Sequence, residues 1–167
     1  MKKQKGFSLI ELLIVVAIIL IIAAIAIPNL MRSRMAANEA SAVGSLRTIN
    51  TAEVTYSTTY GTGFAPLANL GGAANPCVAA AATACLIDAI LAAGTKSGYT
   101  LTTGVPAALG TVLAPNVVFE SAGVPVAAGQ SGQRSFCSDQ SGVIRANPAG
   151  GAAPAACAGA AAFIPLQ

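Results

Sequence analysis

The sequence predicts an α+β protein: a long, bent N-terminal helix spans a membrane with its first half and packs its second half on a small antiparallel β-sheet head. Three observations predict this fold. An apolar run begins near the N-terminus, an amphipathic pattern continues from it, and short alternating segments separated by Gly, Pro and Asn fill the rest. With 167 residues, the chain has room for one domain and an appended helix.

The first element is a membrane-spanning helix between Phe7 and Ile27. No side chain from Leu12 to Ile27 is polar. At 1.5 Å per residue the helix measures about 31 Å, which is enough to cross the hydrocarbon core. The lysines that precede it are expected on the cytoplasmic side, and the rest of the chain on the opposite side.

Glu11 is an unusual residue in this run, because an ionised carboxylate is costly to place in hydrocarbon. Cleavage after Gly6 would create a cationic partner, the new α-amino group of Phe7. If this amine and Glu11 lie on different subunits, each lowers the cost of burying the other, and a neighbour in the wrong register leaves a charge unpaired. A simpler interpretation, that Glu11 reaches the interface alone, stays open.

The helical pattern continues past Pro28 as an amphipathic helix. Apolar residues recur there at steps of mostly three or four, the spacing of one helix face. They are Met35, Ala42, Leu46, Ile49, Ala52 and Tyr56. The helix should end near Tyr60, where Thr and Gly accumulate. Proline lacks an N–H and clashes with the carbonyl four residues earlier, so a kink is expected at Pro28.

The remaining residues are predicted to form a small head with three or four antiparallel strands. The predicted elements are a helix over 85–93, strands over 98–103 and 117–120, and a hairpin that joins 134–138 to 143–145. Gly142 is free to take a positive φ at the hairpin turn. These strands are expected to cover the amphipathic half of the long helix.

The four cysteines, Cys77, Cys85, Cys137 and Cys157, all follow the apolar run. Four cysteines allow three pairings, and the sequence does not choose among them. We favour Cys77 with Cys85 and Cys137 with Cys157, because both bridges are local and leave the loops uncrossed. Export past the membrane agrees with disulfides. The chain has no His, and the cysteine spacing fits no zinc knuckle, so no metal site is predicted.

The net positive charge of the chain comes from the residues before the apolar run. Without Lys2, Lys3 and Lys5, six basic and six acidic side chains remain. No basic surface for nucleic acid is therefore evident. A surface of Ala, Gly, Ser and Thr carries little net repulsion and suits packing against copies of the same chain, although a poorly charged monomer that aggregates would share this composition.

No enzyme is predicted. Without His, neither an imidazole base nor a Ser-His or Cys-His nucleophile pair can form, and no phosphate-binding or dinucleotide motif is present. Asp88, Glu120 and Asp139 are expected to be exposed and are too scattered for a carboxylate pair. We therefore expect no catalytic residue, no cofactor and no metal.

Residues 5–30 resemble the prepilin signature of type IV pilins and their pseudopilin relatives. The resemblance implies that prepilin peptidase cuts after Gly6 and methylates Phe7, and that Glu11 pairs with the amine of a neighbouring subunit. Pro28 matches the family's helix proline. The implied domains are a leader over 1–6, a transmembrane and assembly helix over 7–30, its amphipathic second half over 31–60, and a pilin head with a C-terminal disulfide region over 61–167.

The resemblance implies a structural subunit of a type IV pilus that serves attachment, surface motility or DNA uptake. Its partners would be identical subunits in a helical filament, prepilin peptidase, the inner-membrane assembly machinery, and membrane lipid before assembly. The subunit would wait in the inner membrane with a cytoplasmic N-terminus and a periplasmic head, and then enter an extracellular pilus.

Other interpretations stay open. A pseudopilin of a type II secretion system would share the N-terminus, but major pseudopilins commonly bind calcium through an acidic C-terminal loop, and no Asp or Glu follows Asp139. A secretory signal could be cut after Ala24-Ile25-Ala26, although the length of the run and Glu11 argue against it. A plain anchor explains everything except Glu11 and the Gly6-Phe7 junction. A membrane-anchored sensor is a more distant alternative.

Overall fold

The computed structural model describes residues 7–72, 76–104, 110–152, 154, 156–157 and 160–166. It contains two compact units, one that ends at Arg34 and one that begins at Met35. The elements in chain order are α1 (Leu9–Tyr60), α2 (Leu67–Leu70), α3 (Ala89–Ala92), β1 (Thr95–Lys96), β2 (Tyr99–Thr103), β3 (Glu120–Pro125), β4 (Ser135–Asp139), β5 (Arg145–Asn147) and β6 (Ile164–Pro165). The predicted α+β class is confirmed.

The six strands form one antiparallel sheet in the order β1-β2-β3-β4-β5-β6. Each strand pairs with the next one along the chain, so the sheet is a meander and needs no crossover connection. In the centre of the sheet, Phe136 lies opposite Gly123 on one side and Ala146 on the other. The sequence predicted three or four strands, because β1 and β6 have only two residues each and carry no alternating pattern.

The amphipathic part of α1 supplies one side of the main core. Five of the six predicted residues are buried, namely Ala42, Leu46, Ile49, Ala52 and Tyr56, whereas Met35 is only partly buried. They share one cluster with Leu101 and Phe136 of the sheet. The spacing of three and four residues thus identified the buried face of this helix correctly.

A second, smaller cluster contains the Cys137–Cys157 disulfide. Successive residues of a strand point to opposite faces of a sheet. Phe136 therefore packs in the main core, and Cys137 joins Ala122, Phe163 and Cys157. The other disulfide joins Cys77 to Cys85, so the structure pairs the cysteines in the local arrangement that the sequence favoured.

The strand predicted over 117–120 was wrong in position, since β3 begins only at Glu120. Asn116 pairs with Gly63 in an isolated bridge, and the ring of Phe119 packs on that of Phe64 at 4.6 Å. These contacts hold the apolar residues before β3 against the loop that follows α1. Within β3, a Cβ at Gly123 would lie 3.3 Å from Cδ2 of Leu101, so a larger residue there would require a small shift of the Leu101 side chain.

The helix predicted over 85–93 is limited to α3. Cys85 has a left-handed backbone with φ of 58°, and the N–H of Leu86 donates to the carbonyl of Leu70 at 2.8 Å. The chain therefore enters the helix only at Asp88, whose side chain accepts a hydrogen bond from the N–H of Leu91 at 2.9 Å. Residues 85–87 are therefore not helical, because their backbone bonds to the residues around Leu70, and the helix begins only after the Asp88 cap.

The predicted hairpin is present, and Gly142 has the expected positive φ of 73°. Its second strand starts at Arg145 and not at 143, because Asp139 and Ser141 build a longer loop. The Asp139 carboxylate accepts hydrogen bonds from the backbone N–H and the hydroxyl of Ser141. Asp139 is only 2% exposed, so its predicted exposure was wrong, and Glu120 is half-buried.

Candidate assembly and membrane-facing site

The N-terminal part of α1 exposes its large apolar side chains. An 18-residue window of this helix has a mean hydropathy of 3.3, and none of the window is buried. Its length and composition suffice to cross a membrane, and they are shared by signal sequences near an N-terminus. Since exposed apolar surface of this extent is unfavourable in water, lipid or other protein copies must cover it.

Glu11 lies in the first turn of this helix and caps it. Its Oε2 accepts a hydrogen bond from the backbone N–H of Ser8, which immediately precedes α1, at 2.9 Å. This is one half of a capping box, in which the third helical residue satisfies the N–H of the N-cap. The Ser8-Leu-Ile-Glu sequence is the matching S-x-x-E signature, and sequence reasoning missed it. The carboxylate also lies at the positive end of the helix dipole.

The capping hydrogen bond leaves Glu11 with capacity for a second partner. Within the described residues its Oε1 accepts no hydrogen bond, and the side chain is exposed. Phe7 is also exposed, whereas the proposed cleavage residue Gly6 lies outside the described residues. The structure therefore places Phe7 and Glu11 near the same helix end, and their pairing between subunits stays a prediction.

Pro28 lies inside α1, and the helix is assigned without interruption on both sides of it. Because proline has no N–H, the carbonyl four residues earlier loses its helical donor. The kink at this position stays a prediction.

Glu39 is a buried carboxylate on the amphipathic part of α1 that sequence reasoning missed. It accepts hydrogen bonds from the backbone N–H groups of Gln133 and Arg134 at 2.9 and 3.1 Å, and from Nε of Arg134 at 2.7 Å. Burial alone would raise the pKa of Glu39, but these hydrogen bonds and the guanidinium charge outweigh burial and lower it. The carboxylate thus ties α1 to the start of β4. Its sequence signal was its position between Met35 and Ala42 at the spacing of the buried face.

Glu53 is a second buried carboxylate on the same helix, with 0% of its surface exposed. Its Oε2 accepts a hydrogen bond from the N–H of Ala65 at 3.0 Å, and its Oε1 has no hydrogen-bond partner. Burial raises the pKa of Glu53 to about 7, and the Ala65 N–H offsets this only in part. Glu53 therefore favours its protonated form inside the fold.

We expect the head to lose stability as the pH rises from 5 to 8. The folded state holds a proton on Glu53 up to a pKa of about 7, and the unfolded state only up to about 4.5, so folding is favoured in the acidic part of this window. The stabilisation that protonated Glu53 contributes is complete below about pH 4.5 and is lost as the pH rises past about 7. Thermal unfolding of the full chain in detergent should show a free-energy difference of about 2–3 kcal/mol.

Glu53→Gln should remove most of this pH dependence, because its amide does not titrate. Glu39→Gln is the matched control: Glu39 has a lowered pKa and titrates below the window, so its variant should keep the slope between pH 5 and pH 8. If Glu53→Gln keeps the same change of unfolding free energy between pH 5 and pH 8, Glu53 is not the group responsible for it.

The first 27 residues match the family model described as a prokaryotic N-terminal methylation motif. The predicted prepilin-type N-terminus is thereby confirmed as a motif, and the match extends through the apolar run from Phe7 to Ile27. This motif is followed by an α+β head, which is the pilin-like architecture that the sequence predicted.

The relatives of the chain are type IV pilins. It is 62% identical over 39 residues to the type IV wide pilus major component PilA4 of Thermus thermophilus, covering 23% of this chain and 30% of that protein. It is 44% identical over 54 residues to the type IV major pilin protein PilA of Myxococcus xanthus, covering 32% and 24% respectively. The chain thus spans less than a third of the length of the curated relatives it matches. No solved structure matches it significantly.

Both relatives are named as major structural proteins of type IV pili. They support the prediction that this chain has a structural role and no catalytic one.

Proposed function

We propose that this chain is a structural subunit of a type IV pilus, assembled from the inner membrane through its N-terminal helix. The observation that carries the proposal is the exposed apolar N-terminal part of α1, which begins in a methylation motif and contains a single carboxylate, Glu11, near its start. An anchor needs only the apolar residues. In a subunit that must align with its neighbour, the charge favours the one register in which the carboxylate is paired.

In this proposal prepilin peptidase removes residues 1–6 and methylates Phe7. The helix then waits in the inner membrane, with the N-terminus on the cytoplasmic side and the head in the periplasm. As the filament grows, the assembly machinery lifts the subunit from lipid, and Glu11 pairs with the Phe7 amine of a neighbouring copy. The apolar surface of α1 exchanges lipid for other copies, and the finished filament, extracellular, serves attachment, surface motility or DNA uptake.

The alternative is a pseudopilin of a type II secretion system, which would use the same N-terminal chemistry. The C-terminal region argues for the pilus. No Asp or Glu follows Asp139, and Asp139 itself is held by Ser141 and faces Arg145 at 3.9 Å. Such a region offers few hard oxygen ligands for calcium.

Shearing intact cells and measuring the mass of this protein in the released fraction tests the proposal. We expect an abundant chain that begins at methylated Phe7 and retains both disulfides. A processed chain confined to the cell envelope would instead support the pseudopilin, and an unprocessed chain would refute both.

A further inference from the structure

The two disulfides of the head differ in their access to solvent. Cys137 and Cys157 are 1% and 0% exposed and lie in the smaller core cluster. Cys77 is exposed, and Cys85 is half-buried. Because a thiolate must reach one sulfur of a disulfide in order to break it, only the bridge between Cys77 and Cys85 is open to exchange while the fold stays closed.

The loop that this bridge closes is also fixed by hydrogen bonds that do not involve sulfur. The hydroxyl of Tyr56 on α1 donates to the carbonyl of Ala81 at 2.8 Å. The side-chain amide of Asn69 donates to the carbonyl of Ala82 at 3.1 Å, and the N–H of Ala84 donates to the carbonyl of Asn69 at 2.8 Å. The loop therefore stays on the head when the bridge opens, and the high local concentration of the two sulfurs favours closure again.

The two ends of the loop are held differently. The N–H of Cys85 donates to the carbonyl of Gly71 at 3.3 Å, which fixes this end to the segment after α2. On the side of Cys77, the hydrogen bonds among the described residues stay inside the loop, where the hydroxyl of Thr83 donates to the carbonyl of Val78 at 3.2 Å. Cys77 is therefore both the more exposed and the less restrained of the two cysteines.

The backbone at Cys85 favours opening of the bridge. Its φ of 58° lies in the left-handed region, which is costly for a residue with a Cβ. The bridge to Cys77 helps to hold Cys85 in this conformation, so release of its sulfur allows the backbone to relax.

We propose that the Cys77–Cys85 bridge is a thiol-exchange site that accepts a small monothiol, of the size and chemistry of glutathione, on Sγ of Cys77. The sulfur of the monothiol, as its thiolate, bonds to Sγ of Cys77 while the bond between Cys77 and Cys85 breaks. Cys85 leaves as a thiolate and takes a proton from water. The monothiol is oxidised to a mixed disulfide and Cys85 is reduced, so no further oxidant or reductant is needed. Attack of Cys85 on Cys77 reverses the step and releases the monothiol.

The test incubates the purified full-length chain in detergent with glutathione, blocks free thiols with N-ethylmaleimide, and locates both groups by peptide mass spectrometry. We expect glutathione on Cys77 and maleimide on Cys85. The Cys137–Cys157 bridge should react about a hundredfold more slowly, because only its locally opened fraction is accessible. Absence of uptake, uptake chiefly on Cys85, or equal rates at the two bridges would overturn the proposal.

The double variant Cys77→Ala/Cys85→Ala is the matched control. It should take up no glutathione over the same period, while its near-ultraviolet circular dichroism shows a folded head. Uptake equal to that of the unmodified chain would move the reaction to the buried bridge and refute the site. After removal of free glutathione from the modified, unblocked chain, the Cys77–Cys85 bridge should form again, and a mixed disulfide that persists would contradict the reversible step.

Discussion

Replacing Glu11 by Gln should lower filament yield by up to about a hundredfold, with normal insertion and cleavage. In hydrocarbon, loss of the carboxylate leaves the neighbour's amine without a partner. At the centre of a membrane helix an unpaired charge costs about 2.5–3.5 kcal/mol, so roughly a hundredfold change is the upper limit for this pair, which lies at the start of the helix. Removal of one partner is more damaging than the net worth of the pair, because the remaining charge is uncompensated.

The structure shows why Gln is a sharper test than Leu at this position. The Glu11 carboxylate also accepts the backbone N–H of Ser8, so Glu11→Leu removes a helix cap as well as a charge. Glu11→Gln keeps a carbonyl oxygen that accepts the Ser8 N–H and loses only the charge. If the cap alone matters, Gln should assemble and Leu should not. If the charge matters, both should fail.

Mass spectrometry of the envelope and sheared fractions provides the measurement. The variants should accumulate in the envelope as processed chains that begin at Phe7. Leu13→Ile, an apolar exchange two positions away, should assemble normally and shows that the region tolerates substitution. Normal filaments from Glu11→Gln would refute charge pairing as the basis of assembly.

The second large effect concerns the Cys137–Cys157 disulfide. The double variant Cys137→Ala/Cys157→Ala should lower the free energy of unfolding of the head by about 3–5 kcal/mol. Both cysteines are buried in the cluster that contains Ala122 and Phe163, so their loss removes packing as well as the cross-link. The N–H of Cys157 also donates to a carboxylate oxygen of Glu120 at 3.0 Å, and this contact depends on the position of the bridge.

The other disulfide provides the comparison. Cys77 is exposed and lies only eight positions before Cys85, so Cys77→Ala/Cys85→Ala should cost about 2 kcal/mol, chiefly through the unfolded chain. Denaturant unfolding of the full chain in detergent measures both variants. The chain has no Trp, so near-ultraviolet circular dichroism of its three tyrosines is the signal. Equal losses in the two variants would contradict the importance of burial.

These effects depend on features that the sequence reveals to different degrees. The amphipathic face of α1 was predicted almost completely, because a helix repeats every 3.6 residues and its buried side can be read from local spacing. Yet Glu39 and Glu53 lie on that same face and were missed. A carboxylate is assigned to the surface unless its partners are known, and the partners of these two, at Arg134 and Ala65, are far away in sequence.

The sheet was predicted less well than the helix. The strand at 99–103 and the hairpin around Gly142 were found, since alternation and turn residues are local signals. The start of β3 was misplaced, because Val117 and Val118 look like a strand, whereas Gly123 looks like a turn. Pairing with distant strands decides which segment enters a sheet, and short edge strands leave almost no pattern.

The sequence by itself determined the apolar N-terminal helix, the methylation motif and the position of Glu11 within that helix. Each depends on residue types at short spacing, where hydropathy and helix geometry act directly. Only the tertiary structure decided which carboxylates are buried, where β3 begins, and which of the three possible cysteine pairings forms. Burial and surface shape arise when segments distant in the chain meet, and no local pattern specifies which segments will do so.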